Sequence, residues 1–244
     1  MSNRILTLSL VLMLTIYLNS RQPVHAAGAT TGAATIKGAV QFQGTSPKPK
    51  LVSMAADPSC AKQHSGPIYS QDVVVDSKGD LDNVIVFIAD GLGDRTFDPP
   101  PQPVVFDQKG CEYAPHVLAV QANQPLEIVN DDPTSHNIHP VPQNNREWNK
   151  AEIPGSKVEE AFAREEIAIP VKCNIHPWMR GYVAVFKHPF YAVTGKDGSF
   201  DLPNLPPGTY TIEAWHETLG TSKQQITIGA NETKEIHFVF KSPM

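Results

Sequence analysis

"VKCNIHPWMRGYVAVF" (171–186) sets a thiol, an imidazole and a thioether three residues apart, at Cys173, His176 and Met179, and then runs straight into a strand-like segment. Three donors of this softness on one short loop are a candidate metal-binding turn. The apolar run Tyr182–Phe186 after it, rich in β-branched and aromatic residues, reads as a strand rather than a helix. The same texture continues in both directions. The 22 prolines break the chain every dozen residues or so, and between the breaks lie short runs such as "TIKGAVQFQG" (35–44), "NVIVFIAD" (83–90), "PVVFDQKG" (103–110) and "IAIPVKC" (167–173). Many short strands at this spacing predict an all-β chain built from sandwiches.

The ends of the chain set bounds. Residues 1–26 carry Arg4, an apolar run from Ile5 to Leu18 and a small-x-small pattern at Val24-His25-Ala26, which predicts a secretory signal peptide cut near Ala26. The product would be periplasmic or secreted. Residues 27–34, "AGATTGAA", read as a flexible leader. The formal net charge is −5, and the removed segment holds Arg4 and Arg21 and no acid, so the mature chain is more acidic still. With no basic run to meet phosphates, nucleic acid is not an expected partner. Three cysteines in an exported chain leave one unpaired, and spacing alone does not say which.

Upstream of the Cys-His-Met turn, "NDDPTSHNIHPV" (130–141) offers His136 at the start of a strand. A trigonal His, His, Cys set with a weak axial Met holds copper in both redox states. The two segments together resemble the ligand stretches of cupredoxins, the amicyanin and plastocyanin type above all, across roughly residues 104–187. That resemblance implies a Greek-key β-sandwich binding one copper ion through His136, Cys173, His176 and Met179, with Asn137 tying the two ligand loops together. The sequence departs from the family pattern at Ser135, where proline often precedes the first histidine, and at Asn174 and Ile175 between Cys173 and His176. With Cys173 committed to copper, the pairing left is Cys60 with Cys111. The implied activity is electron transfer, not enzyme catalysis. The partner would be a cytochrome or a membrane oxidoreductase, with electrons entering at the His176 ring edge past Pro177 and Trp178.

A second resemblance lies in "AVTGKDGSFDLPNLPPGTYTIEAWHETLG" (192–220). Asp197-Gly198 signals a hairpin, and Phe200, Leu202, Tyr210 and Ile212 alternate on either side of "NLPPG". The pattern is similar to the carboxypeptidase regulatory-like, transthyretin-like module, which implies a small β-sandwich with no peptidase set. The expected organisation is therefore 99–187 for the copper domain, 188–244 for the module, and 35–98 for strands shared with one or both.

Other readings stay open at this level. Cys173 could pair with another cysteine while Met179 packs in a core. Cys60, His64, Cys111 and His116 could gather around a second metal, although their spacing suits a plain disulfide better. His139 is expected to face away from His136 by strand alternation. Trp215-His216-Glu217 reads as the cap of a strand edge. The functional alternatives are a non-redox accessory or binding protein of the cell envelope and a copper carrier.

Overall fold

A computed structural model describes residues 32–242. The predicted signal peptide and most of the predicted leader lie outside the described residues. The leader reading extended to residue 34, but Ala34 is buried and already begins the first strand.

The chain opens with β1 (Ala34–Gln43), the two-residue strand β2 (Leu51–Val52), the single-turn helix α1 (Pro58–Ala61), β3 (Ile68–Tyr69) and β4 (Ile85–Asp90). Nine strands follow: β5 (Val104–Lys109), β6 (Glu112–Ala114), β7 (Val117–Gln121), β8 (Leu126–Asn130), β9 (His136–Pro140), β10 (Lys150–Glu152), β11 (Lys157–Glu160), β12 (Glu166–Lys172) and β13 (Arg180–Phe186). The tail adds β14 (Tyr191–Val193), β15 (Ser199–Leu205), β16 (Gly208–His216), β17 (Gly220–Ile228) and β18 (Thr233–Lys241).

Two sandwiches result. The middle of the chain forms a five-stranded sheet, β10-β9-β12-β13-β7, and a four-stranded sheet, β11-β8-β5-β6. Their inner faces share a core that includes Phe106, Tyr113, Ile128, Ile138, Ile169, Val171, Val183 and Val185. The second sandwich has sheets β15-β1-β18 and β14-β4-β16-β17 around Ile36, Val40, Phe200, Tyr210, Ile212 and Phe238. Strand β1 pairs with β15 and β18, and β4 pairs with β14 and β16, so both N-terminal strands complete the C-terminal sandwich and neither enters the middle one. The middle sandwich is thus an insertion between β4 and β14. These two strands are antiparallel neighbours, with Tyr191 opposite Phe87, which keeps the two ends of the insertion close together.

Where the sandwiches meet, two strands are buried on both faces. In β13, Val183 and Val185 point into the middle core while Ala184 and Phe186 point into a joint cluster; in β4, Val86 and Ile88 point into the C-terminal core while Ile85 and Phe87 join that same cluster. The side-chain period of two sends alternate residues to opposite sides. This accounts for the unbroken apolar runs "VIVFI" (84–88) and "YVAVF" (182–186). Phe87 and Phe186 meet with ring centroids 4.9 Å apart, and burying a phenylalanine of this kind is worth about 3 kcal/mol. At β1, Gly38 leaves room for its neighbour: a Cβ there would sit 1.7 Å from the Ile236 carbonyl oxygen.

Candidate metal centre

The site lies at one end of the five-stranded sheet. His136 is the first residue of β9, and Cys173 follows the last residue of β12, its antiparallel neighbour. The loop from Cys173 to Met179 then returns into β13. It is closed by its own backbone: the Cys173 N–H donates to the Met179 carbonyl at 3.2 Å, and the Met179 N–H donates to the His176 carbonyl at 2.9 Å. The His176 N–H points at the Cys173 sulfur, 3.4 Å away, an arrangement that favours a thiolate.

His136, Cys173 and His176 bring one donor atom each to within 4.8 Å of one another. The two Nδ1 atoms are 2.9 Å apart, and Cys173 Sγ is 3.9 Å from His176 Nδ1. All four side chains read from the sequence are buried: His136 is 0 %, Met179 1 %, His176 2 % and Cys173 3 % exposed. Met179 packs into the core of the middle sandwich, in the same buried cluster as Cys173. Asn137 bridges the ligand segments. Its Oδ1 accepts the Asn174 N–H at 2.6 Å and lies 3.5 Å from the Cys173 sulfur, and its Nδ2 donates to Asn149 Oδ1 at 2.6 Å.

Cys60 and Cys111 form a disulfide, and Cys173 is a free, buried thiol. A second metal cluster at Cys60, His64, Cys111 and His116 is not formed. His64 Nε2 instead contacts the Gly110 carbonyl oxygen at 2.7 Å, and His116 lies between the Arg180 carbonyl oxygen at 3.1 Å and Glu217 Oε1 at 2.5 Å. The latter contact joins the two sandwiches, so Glu217 has a partner that the sequence did not reveal. His216, next to it, is buried, and its Nδ1 accepts the N–H groups of Thr218 and Leu219. His139 is not part of the donor cluster; its ring lies between Glu147 Oε1 at 2.7 Å and Asn174 Oδ1 at 3.2 Å.

Each site histidine has a carboxylate at its remote nitrogen. Asp132 Oδ2 lies 2.7 Å from His136 Nε2, and Asp57 Oδ2 lies 2.9 Å from His176 Nε2. Neither aspartate stood out in the sequence. Asp132 shares the "NDDPTSH" loop with its histidine, whereas Asp57 is 119 residues from His176. Asp57 caps α1, with Pro58 in the first turn, and its Oδ1 accepts the Ser59 N–H at 2.8 Å. The one local signal there, Asp-Pro-Ser as a helix start, went unread, and it carries no mark of a partner at the site.

The expected exposed edge of His176 is not present. The segment 44–72, which carries α1, covers the ring, and Trp178 stands against it at 5.0 Å between centroids while its Nε1 donates to the Cys111 carbonyl at 3.1 Å. The physical reason is the Cys60–Cys111 bridge. It ties α1 to the β5–β6 turn and brings Cys60 Sγ to 3.7 Å from His176 Nε2.

The electrostatics follow from these contacts. Burial alone would lower the basicity of His136, but its hydrogen bonds to Asp132 and Cys173 outweigh that and raise its pKa from the ordinary 6.5 to about 9. Burial works against ionisation of Cys173, yet the hydrogen bond from His136 and the backbone donors leave its pKa below the ordinary thiol value. At neutral pH the metal-free site thus holds a proton on His136, which a metal ion must displace. Affinity for a divalent ion is expected to rise at least about tenfold per pH unit up to about 9 and then level off. For the metal-free fold the sign is opposite. The stabilisation from this raised pKa is fully present below about 6.5 and is lost as pH climbs through about 9. Competition titrations with a chelator across pH check the first statement, and a pH-independent affinity contradicts it.

The donor set of one thiolate sulfur and two imidazole nitrogens, with a thioether on the same loop, fits copper in chemical type. Residues 182–241 match the family model of the carboxypeptidase regulatory-like domain. The match begins inside β13 and takes in β14 to β18, while β1 and β4, which complete the same sandwich, lie outside it. No curated protein matches the chain. Among solved structures, similarity is found to a copper-containing nitrite reductase (NirK) from Thermus scotoductus SA-01, with 21 % identity, 40 % of this chain and 25 % of that chain covered and a TM-score of 0.34. This chain therefore spans a quarter of the length of that enzyme. A purple cupredoxin from Nitrosopumilus maritimus aligns at 24 % identity over 34 % of this chain and 97 % of its own, with a TM-score of 0.29. A reduced amicyanin variant aligns at 21 % identity over 41 % of this chain and 97 % of its own, with a TM-score of 0.32.

Proposed function

We propose that this chain is an exported mononuclear type 1 copper protein that passes single electrons between redox partners. The observation that carries the reading is the convergence of a free thiol and two imidazole Nδ1 atoms from β9 and the β12–β13 loop, donor atoms within 4.8 Å of one another. Copper bound there would supply a one-electron couple. The protein's part is to hold the donors still. Asp132 fixes the His136 ring through Nε2 and leaves Nδ1 facing inward, the role that outer carboxylates play around metal-bound histidines. Asn137 clamps the two ligand segments together, and the backbone N–H of His176 supports the Cys173 thiolate. Met179 would supply a weak thioether donor.

The near-complete burial of all four side chains supports an electron carrier over an enzyme, because it keeps substrate and water away from the donors. It also supports tight retention over a labile copper shuttle. The partner would be a cytochrome or a membrane oxidoreductase, met outside the cytoplasm. Stoichiometric Cu(II) added to the purified protein is expected to give an intense visible thiolate-to-copper band and a narrow copper hyperfine splitting in spin resonance. A colourless adduct with an ordinary tetragonal spectrum would overturn the assignment.

A further inference from the structure

The fold itself explains neither the carboxylate on His176 nor the segment that brings it there. Segment 44–72 lies outside the sheets of both sandwiches and forms its own two-stranded sheet, β2 with β3, around α1. It is seated on the site end of the middle sandwich. Met54 and Cys60 enter that core, Cys60 is bonded to Cys111, Gln63 Nε2 reaches Cys111 Sγ at 3.7 Å, and His64 contacts the Gly110 carbonyl oxygen. At its centre Asp57 is held from both sides. Oδ1 accepts the Ser59 N–H at 2.8 Å and the Ser59 hydroxyl at 2.5 Å, which leaves Oδ2 aimed at His176 Nε2, 2.9 Å away.

We propose that Asp57 is a positioning residue for His176: its carboxylate turns the ring so that Nδ1 faces Cys173 and His136, and the segment that carries it closes the ring edge to solvent and to partners. This rests on the copper reading for its consequence, though not for the contact itself. A redox partner then meets the outer surface of segment 44–72 instead of the bare imidazole. An anionic acceptor on Nε2 also makes the ring a stronger donor, which favours the oxidised state of a bound copper ion.

Two measurements test it. In metal-free, 15N-labelled protein, long-range nitrogen–proton correlation is expected to show His176 with its proton on Nε2 and slow exchange. Exchange becomes at least about tenfold faster in Asp57→Ala and slow again in Asp57→Glu. In copper-loaded protein, Asp57→Ala is expected to shift the balance toward the reduced state about tenfold, a rise of about 59 mV, with Asp57→Glu close to the unsubstituted value. Asp57→Asn keeps an α1 cap and an acceptor while losing the charge. It keeps the test decisive where the alanine variant does not fold, and its potential moves in the same direction. Thiol titration verifies that Cys60–Cys111 stays intact in every variant. A His176 Nε2 proton that exchanges equally fast with and without Asp57 overturns the proposal, as does an unchanged potential in Asp57→Ala and Asp57→Asn. A failure of the copper assignment is read separately, from the colour of the unsubstituted protein, and leaves the exchange measurement decisive.

Discussion

Cys173→Ser is expected to abolish the visible band of the copper-loaded protein altogether and to weaken copper binding by orders of magnitude. The other two cysteines are locked in a bridge, so Cys173 carries the only free sulfhydryl among the described residues. A serine hydroxyl ionises far less readily than a thiol and is a hard donor, poorly suited to the reduced ion. The fold should survive. The change is close to isosteric, and the loop retains its two closing hydrogen bonds between backbone groups of residues 173, 176 and 179. What it loses is the thiolate that accepts the His176 N–H and helps hold the proton on His136. Removing that anion is therefore expected to lower the His136 pKa from about 9 as well, which NMR titration of the metal-free variant can follow. Retention of an intense band in Cys173→Ser would mean that the colour, and hence the ligand, lies elsewhere.

The second large effect concerns stability. Replacing both Cys60 and Cys111 with alanine is expected to cost the metal-free protein about 4 kcal/mol, close to a thousandfold in the folding equilibrium, because the bridge closes a long loop. The sequence separation is 51 residues and both sulfurs are fully buried, so lost packing adds to lost chain constraint. The loss has a local face. Without the bridge, and without the Cys111 sulfur that Gln63 reaches, α1 is held over His176 by Asp57, Met54 and the side chain of His64, and the ring becomes far easier to expose. Denaturant unfolding measures the global term, and hydrogen exchange at His176 reads the local one. A cost below about 1 kcal/mol would show that the segment is seated by its other contacts without help from the bridge.

The sequence carried the all-β character because proline punctuation and short alternating runs leave no room for an amphipathic helix of useful length. The one helix among the described residues is a four-residue turn. The C-terminal module was equally legible, since turn residues at fixed offsets, Asp197-Gly198 and "NLPPG", are local signals that need no partner. The Cys-His-Met turn was legible for the same reason: its three side chains lie within one short loop, where spacing nearly dictates proximity.

Features that depend on neighbours along the chain were readable without a fold: strand content, the C-terminal hairpins, and the donor types of the 173–179 loop. It took the folded chain to establish that β1 and β4 complete the C-terminal sandwich, that Cys60 pairs with Cys111, and that Asp57 rests on His176 from 119 residues away. Strand pairing, a disulfide and a carboxylate–imidazole contact each join groups whose separation in sequence sets no distance between them. Such contacts are chosen by which arrangement buries the most apolar surface and leaves the fewest polar groups unpaired, and that is a property of the folded whole.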